Sequence, residues 1–529
     1  MDENNFFTER SGTTPFFYLN LLESREKMKV GIDLGTTNSA VAYINTSGKP
    51  EIIPNSEGGR TTPSVILIEE GKAIVGEVAK EAVISQFEDT IQFVKRQIGN
   101  KSFRFPIPGS DYFIDAVEAS AIILKKVVKN AEEALGEPIT DVVITVPAYF
   151  DDAKRNATKD AGEMIGVNVL KVINEPTAAA LAYYDPEKAH IEQNIVIYDL
   201  GGGTFDLTIV RVHNYEIQVL ATDGDSSLGG FDFDNAIFNY AAEKFEEETG
   251  LDIYDDEQGL QELRENAEKC KKSLTKRSKY TIPVTSQGKS VRIDMTRELF
   301  NTLIEPFLKR TQQIMEETIA EAGLAWNEVD KILLVGGSTR TPIISSMIKD
   351  YTGIEPSKEL NPDEVVALGA AVQASFIKTD AHSSHTRKVN IRDVNSHSLG
   401  IISSEGVDVF MNSIIVPRNS EIPCEMAREF FTIQENQEEI FLQITEGEDE
   451  DPNYVTIIGH SVISLPENLP ANSPIEIRIS YDQNGIVHVS AKDVRNYIEL
   501  GEFTIERQSN LTHQEIQEKQ QNLLSLEVE

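Results

Sequence analysis

The chain has 529 residues, of which 40% are hydrophobic and 26% charged, so it is long enough for more than one domain and has ordinary globular composition. Its formal net charge of −37 disfavours electrostatic binding to nucleic acid or to an anionic membrane surface. A nucleotide is still allowed, because backbone N–H groups and local cations can hold phosphate. The two cysteines, Cys270 and Cys424, form no CxxC pattern and indicate free thiols in a reducing compartment.

The N-terminal segment carries no clear structural signal. Strand periodicity begins only near Met28, so residues 1–27 are predicted to be a disordered extension or an upstream start of translation. The apolar stretch 16–22 is too short to span a membrane and lacks a preceding basic segment, which disfavours a secretory signal. No other run reaches transmembrane length, and a cytosolic location is therefore predicted.

Strands and helices alternate from residue 28 to residue 378, which predicts an α/β region. Within it, GIDLGTTNSAVAYI (31–44) and IYDLGGGTFDLTIV (197–210) share a pattern of strand, Asp-Leu-Gly turn and strand. One copy opens the first half of the region and the other opens the second. The repeat predicts two similar halves that grip one ligand from both sides of a cleft.

Three features of these hairpins converge on phosphate. Glycines lack the Cβ atoms that would block its approach, threonines add hydroxyl donors, and aspartates fit a hydrated Mg²⁺ between them and the phosphates. The residues are Gly201, Gly202, Gly203, Thr36, Thr37, Thr204, Asp33, Asp199 and Asp206. Either hairpin alone is better explained as a glycine-rich turn with turn aspartates. The matched pair, with VGGSTR (335–340) as a third glycine turn, favours a nucleotide cleft.

The character of the sequence changes after about residue 380. KTDAHSSHTRK (378–388) is short, polar and turn-rich, which is typical of an interdomain linker. Short alternating strands follow from 388 to 508, and Asn484-Gly485 is a strong type I′ hairpin signal between two of them. This part predicts an all-β sandwich or partial barrel.

The last segment carries a helix signal. LTHQEIQEKQQNLLSL (511–526) has Thr512 and Glu515 in capping-box spacing, and the predicted helix has no following partner. The patterns together predict five segments. They are an N-terminal extension at 1–27, an α/β domain at 28–378, a linker at 379–393, a β domain at 394–508 and the start of a truncated helical lid at 509–529.

A family resemblance rests on an ordered set of motifs. These are VGIDLGTTNSAVAYI, VITVPAYFDDAKRNATKDAG, INEPTAAALAYY, IYDLGGGTFDLTIV, LGGFDFDNAI, LVGGSTRTPII and NPDEVVALGAAVQA. Together they resemble the DnaK-like heat-shock chaperones of the seventy-kilodalton class, from about residue 28 to about residue 520. One motif would be shared with actins and sugar kinases, whereas the full ordered set is highly specific.

The resemblance implies a fold and an activity. The fold would be an actin-like ATPase domain of α/β class, built as a duplicated ribonuclease H-like unit, followed by an all-β sandwich that binds peptide. The activity would be hydrolysis of ATP to ADP and phosphate, controlling affinity for extended hydrophobic segments of unfolded proteins. A J-domain co-chaperone and a nucleotide exchange factor are the implied further partners.

The resemblance also implies roles for cleft residues. Phosphates would be held by Gly35, Thr36, Thr37, Asn38, Gly201, Gly202, Gly203 and Thr204. Asp33 and Asp199 would bind Mg²⁺ through water, with K⁺ nearby. The implied catalytic residues are Lys95, Glu175, Asp206 and Thr204, where the ammonium stabilises transferring charge and carboxylates orient the water. Without the motifs, Lys95 would be explained as a solvated helix charge and Glu175 as an acid at a helix N-terminus.

The nucleoside pocket and the allosteric relay are implied in the same way. The nucleoside residues would be Glu268, Lys271, Thr275, Gly337, Ser338, Arg340 and Asp363. The first three lie at spacings of three and four, so one helical face can present them, although an exposed charged helix explains them equally simply. Pro147 and Arg155 match family positions thought to relay the nucleotide state to the second domain.

The β domain departs further from the family pattern. The implied peptide-binding residues are Ile401, Ser404, Phe430, Ile433, Ile440 and Leu442. For Phe430 and Leu442, a place in the sandwich core is an equally good explanation. Ser404 and Ile433 are unusual choices for the arch over the peptide, and the segment at 406–423 is a few residues longer than usual.

The linker and the lid depart as well. The family has a leucine-rich run where this chain has VNIRD (389–393), with Asn390 and Arg392 at two apolar positions. Burying these side chains without partners is costly, so weaker or differently arranged docking on the ATPase domain is expected. Because most of the lid is missing, bound peptide is expected to exchange fast even in the ADP state.

Three alternatives stay open at this point. One is a lidless, specialised relative with a dedicated client and weak allostery. Another, from a different class, is a small-molecule kinase on the same fold, which explains the cleft but leaves residues 388–508 unused. The third is a non-enzymatic scaffold, which would bind ATP without turnover.

Overall fold

The computed structural model describes residues 28–110, 112–185, 190–377, 389–404, 409–482, 487–505 and 513–529. Four predicted features lie outside these ranges, namely the extension at 1–27, the linker stretch 378–388, the Asn484-Gly485 turn and Thr512. Of the helices in the described ranges, none is long and apolar enough to cross a membrane.

The helices of the described residues are numbered here in chain order. They are α1 (Glu77–Ala82), α2 (Ala116–Leu135), α3 (Asp152–Met164), α4 (Glu175–Tyr183), α5 (Gly230–Thr249), α6 (Glu257–Leu274), α7 (Arg297–Glu321), α8 (Pro342–Thr352), α9 (Val365–Phe376) and α10 (His513–Ser525).

The strands are numbered in the same way. Before residue 378 they are β1 (Met28–Asp33), β2 (Asn38–Ile44), β3 (Pro50–Ile52), β4 (Thr62–Pro63), β5 (Ile66–Glu69), β6 (Lys72–Val75), β7 (Thr90–Ile91), β8 (Phe105–Pro106), β9 (Phe113–Ile114), β10 (Ile139–Val146), β11 (Asn168–Asn174), β12 (Gln193–Leu200), β13 (Phe205–His213), β14 (Glu216–Asp225), β15 (Lys279–Ser286), β16 (Lys289–Thr296) and β17 (Lys331–Val335). After it they are β18 (Asn390–Val394), β19 (Leu399–Ser404), β20 (Phe410–Val416), β21 (Glu421–Ile422), β22 (Cys424–Phe431), β23 (Glu439–Glu446), β24 (Thr456–Ser464), β25 (Pro474–Tyr481), β26 (Val487–Asp493), β27 (Ile498–Thr504) and β28 (Glu527–Val528).

The first lobe, residues 28–185, is built on a mixed sheet of order β11-β10-β1-β2-β3. Strand β1 is parallel to β10 and antiparallel to β2. Its middle residues are buried because helices cover the sheet, which explains why the strand reads as a largely apolar run rather than as a strict alternation. Helix α2 is capped by Asp115 and packs into the same core.

The second lobe, residues 190–377, repeats this plan. Its sheet has the order β17-β12-β13-β14, with β12 antiparallel to β13 and parallel to β17. In both lobes, therefore, the motif hairpin is flanked by a parallel strand on one side and continues as an antiparallel meander on the other. The predicted internal repeat is confirmed at the level of topology.

Two apolar helices join the lobes. Helix α9 contacts β1, β2 and α4, while α4 contacts strands of both sheets. The close approach of α9 to α4 requires Gly369, because a Cβ there would collide with the Ala178 backbone. This packing places the two motif hairpins on either side of one cleft.

The β domain, residues 394–505, is a sandwich. Its two four-stranded sheets have the orders β20-β19-β23-β24 and β22-β25-β26-β27, and both are antiparallel. The buried positions of β25 alternate along Pro474–Tyr481, and they share one core with Leu399 and Ile444 of the facing sheet. The all-β prediction is confirmed, and β25 pairs with β26 across the predicted hairpin.

The linker strand β18 lies parallel to β14 and extends the sheet of the second lobe. Val389 and Val394 are buried against that lobe, while Arg392 pairs with Glu216. The cost of burying Asn390 or Arg392 without partners therefore does not arise in this arrangement. Arg392 stays partly exposed with an acidic partner, and the exposed Asn390 donates its backbone N–H to Tyr215 O.

The final helix is also better connected than the sequence indicates. Helix α10 packs against α3 and α2 of the first lobe, and strand β28 follows it. This strand pairs with β6 at the edge of a small sheet of order β28-β6-β5-β7. The expectation that no partner element follows the helix is wrong, because strand β28 follows it. A strand of two residues is too short to show an alternating pattern in the sequence.

Candidate functional site

Two aspartates face each other across the second motif hairpin. Asp199 of β12 and Asp206 of β13 are direct cross-strand partners, and they are 5% and 1% exposed. Like charges directly opposite each other destabilise a sheet, and burial makes the repulsion stronger. In the first hairpin the equivalent partner of Asp33 is Ala40. The arrangement at Asp199 and Asp206 is explained if a cation is bound between the two lobes.

One lysine faces this acidic cluster. Lys95 is 4% exposed, and its Nζ lies 2.5 Å from Glu175 Oε1. Glu175 is the first residue of α4, where the helix dipole favours a negative charge. The Lys95 ammonium also lies 5.9 Å from the centre of the Phe150 ring. The interpretation of Lys95 as a solvated helix charge is wrong, since the side chain is buried in the cleft.

The carboxylates are far more numerous than the cations that face them. Burial raises the pKa of Asp33 to about 7, with Glu175 raising it further and Lys95 opposing the shift. Burial and Glu175 likewise raise the pKa of Asp206 to about 7, and they raise the pKa of Asp199 well above its usual range. The buried carboxylates of the cleft therefore carry more negative charge than Lys95 alone can neutralise.

The free lone pairs point to the same demand. Asp206 accepts a hydrogen bond of 2.9 Å from the Tyr149 N–H at Oδ1, while its buried Oδ2 has no hydrogen-bond partner among the residues that the structure describes. Within the described residues, no three acidic, histidine or cysteine side chains come close enough to hold a bare metal ion. A hydrated Mg²⁺ fits both findings, because this ion keeps several of its waters when a protein binds it.

The N–H groups of Gly202, Gly203 and Thr204 follow carbonyls that are bonded to other residues, whereas the Gly201 N–H is itself bonded to Thr204 O at 3.0 Å. The carbonyls of Gly201 and Gly202 accept from the Gly230 and Phe231 N–H groups, and Arg96 Nε donates to Gly203 O. Because a trans peptide directs its C=O and its N–H to opposite sides, the N–H groups that follow these carbonyls point away from the protein contacts. Such successive N–H groups are a concave site for an anion.

Only two of the three glycines are required by the protein itself. A Cβ at Gly202 would lie 2.8 Å from Thr37 Oγ1, and one at Gly203 would lie 2.8 Å from Thr36 Cγ2. A Cβ at Gly201 would meet nothing closer than Thr204 O at 3.7 Å. The threonine turn of the first lobe therefore packs directly on the glycine turn of the second.

The third glycine turn is bonded to the triplet. Ser338 Oγ donates to Gly201 O at 2.7 Å. Arg340 pairs with Asp363 at 2.5 Å, and a Cβ at Gly337 would lie 2.9 Å from an Asp363 oxygen. These residues are brought together beside the glycine triplet, where the sequence predicts the nucleoside to bind.

Helix α6 carries Glu268 and Lys271, which the sequence predicts to contact the nucleoside, and both are in ion pairs. Glu268 is bridged by Lys80 of the first lobe and by Lys272, each at 2.8 Å. Although burial opposes it, these two lysines lower the pKa of Glu268 to about 2. Lys271 pairs with Asp234 at 2.6 Å, next to the triplet. Thr275 follows the helix and donates back to a carbonyl of its last turn.

Several residues that sequence reasoning missed bind the lobes together. Arg96 bonds Gly203 O and pairs with Asp232 at 3.0 Å, and Arg60 pairs with Glu364 at 2.7 Å. Arg96 stands next to Lys95 in FVKRQIG, and that adjacency was the available signal. The pairs at Arg60 and Lys80 cross between lobes and leave no local pattern.

The loop at Pro147 connects the cleft to the β domain. Tyr149 bonds Asp206 through its N–H, and its ring lies 4.2 Å from the ring of His397. Asn174, which precedes Glu175, accepts from Arg155 and donates to Asp393 Oδ2 at 3.0 Å. Two bonded paths therefore lead from the acidic cluster to the start of the β domain.

The six predicted peptide-binding residues divide by exposure. Ile401 and Leu442 are buried in the sandwich core, while Phe430 and Ile440 are partly buried against it. Ser404 is exposed, and Ile433 is 77% exposed. The described structure thus gives four of them contacts with the core and places the two unusual residues at its surface.

Two lobes of duplicated plan around an anion-binding cleft, joined to a β sandwich, define an ATPase of the actin-like class with an added β domain. A family model described as Hsp70 protein matches residues 29–108 and 109–528. The chain therefore belongs to the Hsp70 family.

Two curated relatives extend this finding. The chain is 40% identical over 482 residues to "Chaperone protein DnaK" of Thermotoga neapolitana, covering 89% of this chain and 79% of the relative. It is 40% identical over 481 residues to "Chaperone protein DnaK" of Thermosipho melanesiensis, with the same coverage. The protein is a DnaK-like, ATP-dependent chaperone and an ATPase, with an actin-like ATPase domain and a β sandwich. The small-molecule kinase and the lidless, specialised relative are not favoured. The ATPase activity of the family also disfavours the non-enzymatic scaffold.

Proposed function

We propose that ATP hydrolysis in the cleft between the two lobes controls the affinity of the β domain for extended apolar peptide segments. The observation that carries this proposal is the path from Asp206 through Tyr149 to His397. A change at Asp206 has a direct route to the first residues of the β domain, because one tyrosine contacts both.

The proposed catalytic residues are Lys95, Glu175, Asp206 and Thr204. Lys95 stabilises negative charge on the transferring phosphoryl group, and Glu175 fixes the ammonium in place. Asp206 orients the attacking water through its free Oδ2. Without a bound metal ion, burial and Glu175 raise the pKa of Asp206 to about 7.

Asp33 and Asp199 are the proposed Mg²⁺ residues, acting through bound water, and K⁺ is the proposed monovalent cation nearby. When bound, Mg²⁺ neutralises charge on the phosphates. Asp33 is held by the Thr145 hydroxyl at 3.3 Å, and Asp199 is held by its place in β12. The backbone of both aspartates is therefore fixed by strand pairing before any ion arrives.

The phosphates are assigned to the two turns and the nucleoside to the surfaces beside them. The phosphate residues are Gly35, Thr36, Thr37, Asn38, Gly201, Gly202, Gly203 and Thr204. The nucleoside residues are Glu268, Lys271, Thr275, Gly337, Ser338, Arg340 and Asp363. The Ser338–Gly201 hydrogen bond supports the assignment, because it holds the two sets side by side.

Pro147 and Arg155 are proposed as relay residues. Phe150 N–H bonds Pro147 O and tightens the loop that carries Tyr149. Arg155 opposes the raised pKa that burial gives Asp393 of the linker. Arg418 adds a further contact between the domains, pairing with Asp223 at 3.2 Å and with Glu321.

The peptide site is assigned to Ile401, Ser404, Phe430, Ile433, Ile440 and Leu442. An extended peptide would combine main-chain hydrogen bonds with apolar pockets at these positions. Unfolded polypeptides are the proposed clients, with a J-domain co-chaperone and a nucleotide exchange factor as partners. A cytosolic location and the domain boundaries 28–378 and 394–508 complete the proposal.

Single-turnover hydrolysis with and without an unfolded peptide tests this function. Peptide-stimulated release of inorganic phosphate is the expected result. Phosphate appearing on a metabolite would instead indicate a kinase, and ATP binding without turnover would indicate a scaffold.

Peptide release provides a second test. Release of a fluorescent peptide in ADP is expected to be fast. Slow dissociation that depends on the nucleotide would contradict this expectation and would require a working lid.

A further inference from the structure

The linker strand β18 and the residue before it have one apolar and one polar face. Val389 is 4% exposed, and Ile391 packs against the same core of the second lobe. Between and after them, Asn390 is exposed and Arg392 is partly exposed. This alternation has the period of two that a strand with one covered face shows. The apolar face docks on the second lobe, and the two polar side chains lie on the opposite face.

Strands from two domains border β18. On one side lies β14 of the second lobe, where Gln218 is the register partner of Arg392. On the other side lies β21 of the β domain, where Glu421 is paired with Val394. Paired residues of neighbouring strands point to the same face of a sheet, and so do residues two apart in one strand. Gln218, Arg392 and Glu421 therefore share the polar face.

Arg392 connects the two sides through its guanidinium group. Its Nε pairs with Glu216 of β14, and its Nη1 lies 3.5 Å from Glu421 Oε1. Gln218 Nε2 donates to Glu421 Oε2 at 3.4 Å. The hydrogen bond from Arg392 lowers the pKa of Glu216, and a further one from the Asn390 side chain acts in the same direction. One arginine of the linker thus has acidic partners in both domains.

These ion pairs depend on where the linker lies. Glu216 and Glu421 belong to different domains, so Arg392 meets both only while β18 lies between β14 and β21. A contact that is made in only one of two states shifts the equilibrium toward that state. Removing the arginine would also leave two carboxylates on one face of the sheet, and like charges on neighbouring strands are unfavourable.

The exposure of the three side chains makes the pairs sensitive to salt. Arg392 is 42% exposed, and Glu216 and Glu421 are 31% and 46% exposed. Exposed ion pairs stabilise weakly and are screened by dissolved ions. The screening length shortens from about 10 Å at about 0.1 M ionic strength to about 3 Å at about 1 M. The apolar contacts on the other face of the strand are not screened in this way.

We propose that Arg392 is a positioning residue that holds the linker strand between the second lobe and the β domain, so that the coupling of these two parts weakens as salt rises. The residue lies outside the proposed nucleotide and peptide sites and acts through the position of β18. The inference rests on the proposed function, because control of peptide affinity by nucleotide is the coupling in question.

Hydrogen–deuterium exchange at residues 390–394 of the full chain measures the docking of the linker. The Asn390 N–H, which donates to Tyr215 O at 2.8 Å, is one of the amides expected to be protected. Exchange is measured without nucleotide, with Mg²⁺ and ADP, and with Mg²⁺ and a slowly hydrolysed ATP analogue, and the most protected condition is used. Arg392→Gln should speed exchange there about threefold to fivefold, as expected for the loss of exposed ion pairs. Wild-type protection in this variant would overturn the proposal.

Arg478→Gln is the matched control. Arg478 also lies between two carboxylates, those of Glu425 and Glu476, and is 40% exposed, but all three residues belong to the β domain. Its substitution should leave exchange at 390–394 unchanged. An equal rise in both variants would show a general effect of removing positive charge and would overturn the specific role of Arg392.

A double-mutant cycle tests the ion pair itself. Glu216→Gln removes one acidic partner, and the double variant with Arg392→Gln should exchange no faster at 390–394 than Arg392→Gln alone. Arg392→Lys keeps the positive charge and should retain most of the protection. Fully additive losses in the double variant would show that the two residues act separately and would overturn the proposed pairing.

Salt separates the ion pairs from the apolar contacts of the linker. The exchange experiment is repeated in about 0.1 M and about 1 M potassium chloride, which keeps K⁺ present throughout. Relative to Arg392→Gln, the wild-type protein should lose about threefold more protection at 390–394 over this range. An identical salt response of the two proteins would overturn the proposal.

The ratio of peptide affinities in ADP and ATP is measured on the same proteins. A smaller ratio in Arg392→Gln, together with faster exchange, supports the positioning role, and an unchanged ratio would overturn it. If the wild-type protein itself has equal affinities in the two nucleotides, the proposed function fails. The hold of Arg392 on the linker is then decided by exchange at 390–394 alone, because that measurement needs no coupling to peptide.

Discussion

The two motif hairpins share one sequence pattern, but they contribute different residues to the proposed site. In the first, Asp33 faces Ala40 and the turn is threonine-rich; in the second, Asp199 faces Asp206 and the turn is three glycines. The turns are complementary, because the threonine side chains fill the space that Gly202 and Gly203 leave open. Neither hairpin alone explains its own composition, so the two copies of the repeat have to be interpreted together.

The largest expected effect comes from removing the buried ammonium group of Lys95. Lys95→Ala should slow hydrolysis roughly a hundred- to a thousandfold while ATP binding stays nearly intact, because the ammonium acts mainly on transferring charge. Single-turnover rates and nucleotide titration measure the two effects separately.

Lys154→Ala is the matched control for this change. Lys154 also contacts the Phe150 ring, at 5.5 Å, but it is partly exposed and pairs with Asp151. Its loss should leave the rate within a few-fold of wild type. Equal rates for the two variants would show that the buried position of Lys95 has no catalytic meaning.

The packing of the two turns against each other is tested by adding one methyl group at different positions of the glycine triplet. Gly202→Ala should cost about 1–3 kcal/mol in stability through overpacking against Thr37 and should weaken ATP binding. Gly201→Ala introduces a Cβ at an ordinary contact distance and should cost well under about 1 kcal/mol in stability. Thermal unfolding and ATP titration of both variants decide the matter. Equal losses would mean that the two turns do not pack as described.

A substitution in the β domain should leave ATP hydrolysis at the two hairpins unchanged. Ile440→Asp is expected to weaken peptide binding about tenfold or more, because it places a charge among apolar groups, without changing basal hydrolysis. Phe441→Asp is the neighbouring control, since Phe441 is 56% exposed. Fluorescence anisotropy with a labelled peptide compares the two. A wild-type affinity for Ile440→Asp would remove that residue from the peptide site.

The buried aspartates of the cleft also predict that the stability of the fold depends on pH. Asp33 and Asp206 have a folded pKa of about 7, above the unfolded value, so between about pH 4 and pH 7 the folded state binds more protons than the unfolded state. Stability without nucleotide should therefore fall as the pH rises through this window. Asp206→Asn should flatten the curve in thermal unfolding. Stability that rises across the same window would contradict the raised pKa values.

The sequence predicted much of this architecture because its signals were local. Glycine turns, the Asp-Leu-Gly repeat and alternating β strands each fit within about twenty residues, and they gave the lobes, the cleft and the sandwich. Ion pairs such as Arg60–Glu364 and Lys80–Glu268 join residues far apart in the chain, and no local pattern marks them.

The linker and the C-terminal segment show why the rest was missed. Polar residues at 390 and 392 predicted weaker or differently arranged docking of the linker, and Arg392 pairs with Glu216 on the neighbouring strand. The final helix looked unpartnered because its partners lie some 400 residues earlier, as with Lys519 and Asp115, which are 404 residues apart. In both cases the partner lies far away in the chain, so the local sequence pattern does not reveal it.

The affinity of one peptide measured in ATP and then in ADP tests the central claim most directly. If the cleft controls the β domain through the Tyr149–His397 contact, affinity should be at least about tenfold weaker in ATP, within the range of typical allosteric coupling. His397→Ala should reduce that ratio while leaving nucleotide binding unchanged. Equal peptide affinity in the two nucleotides would contradict the account.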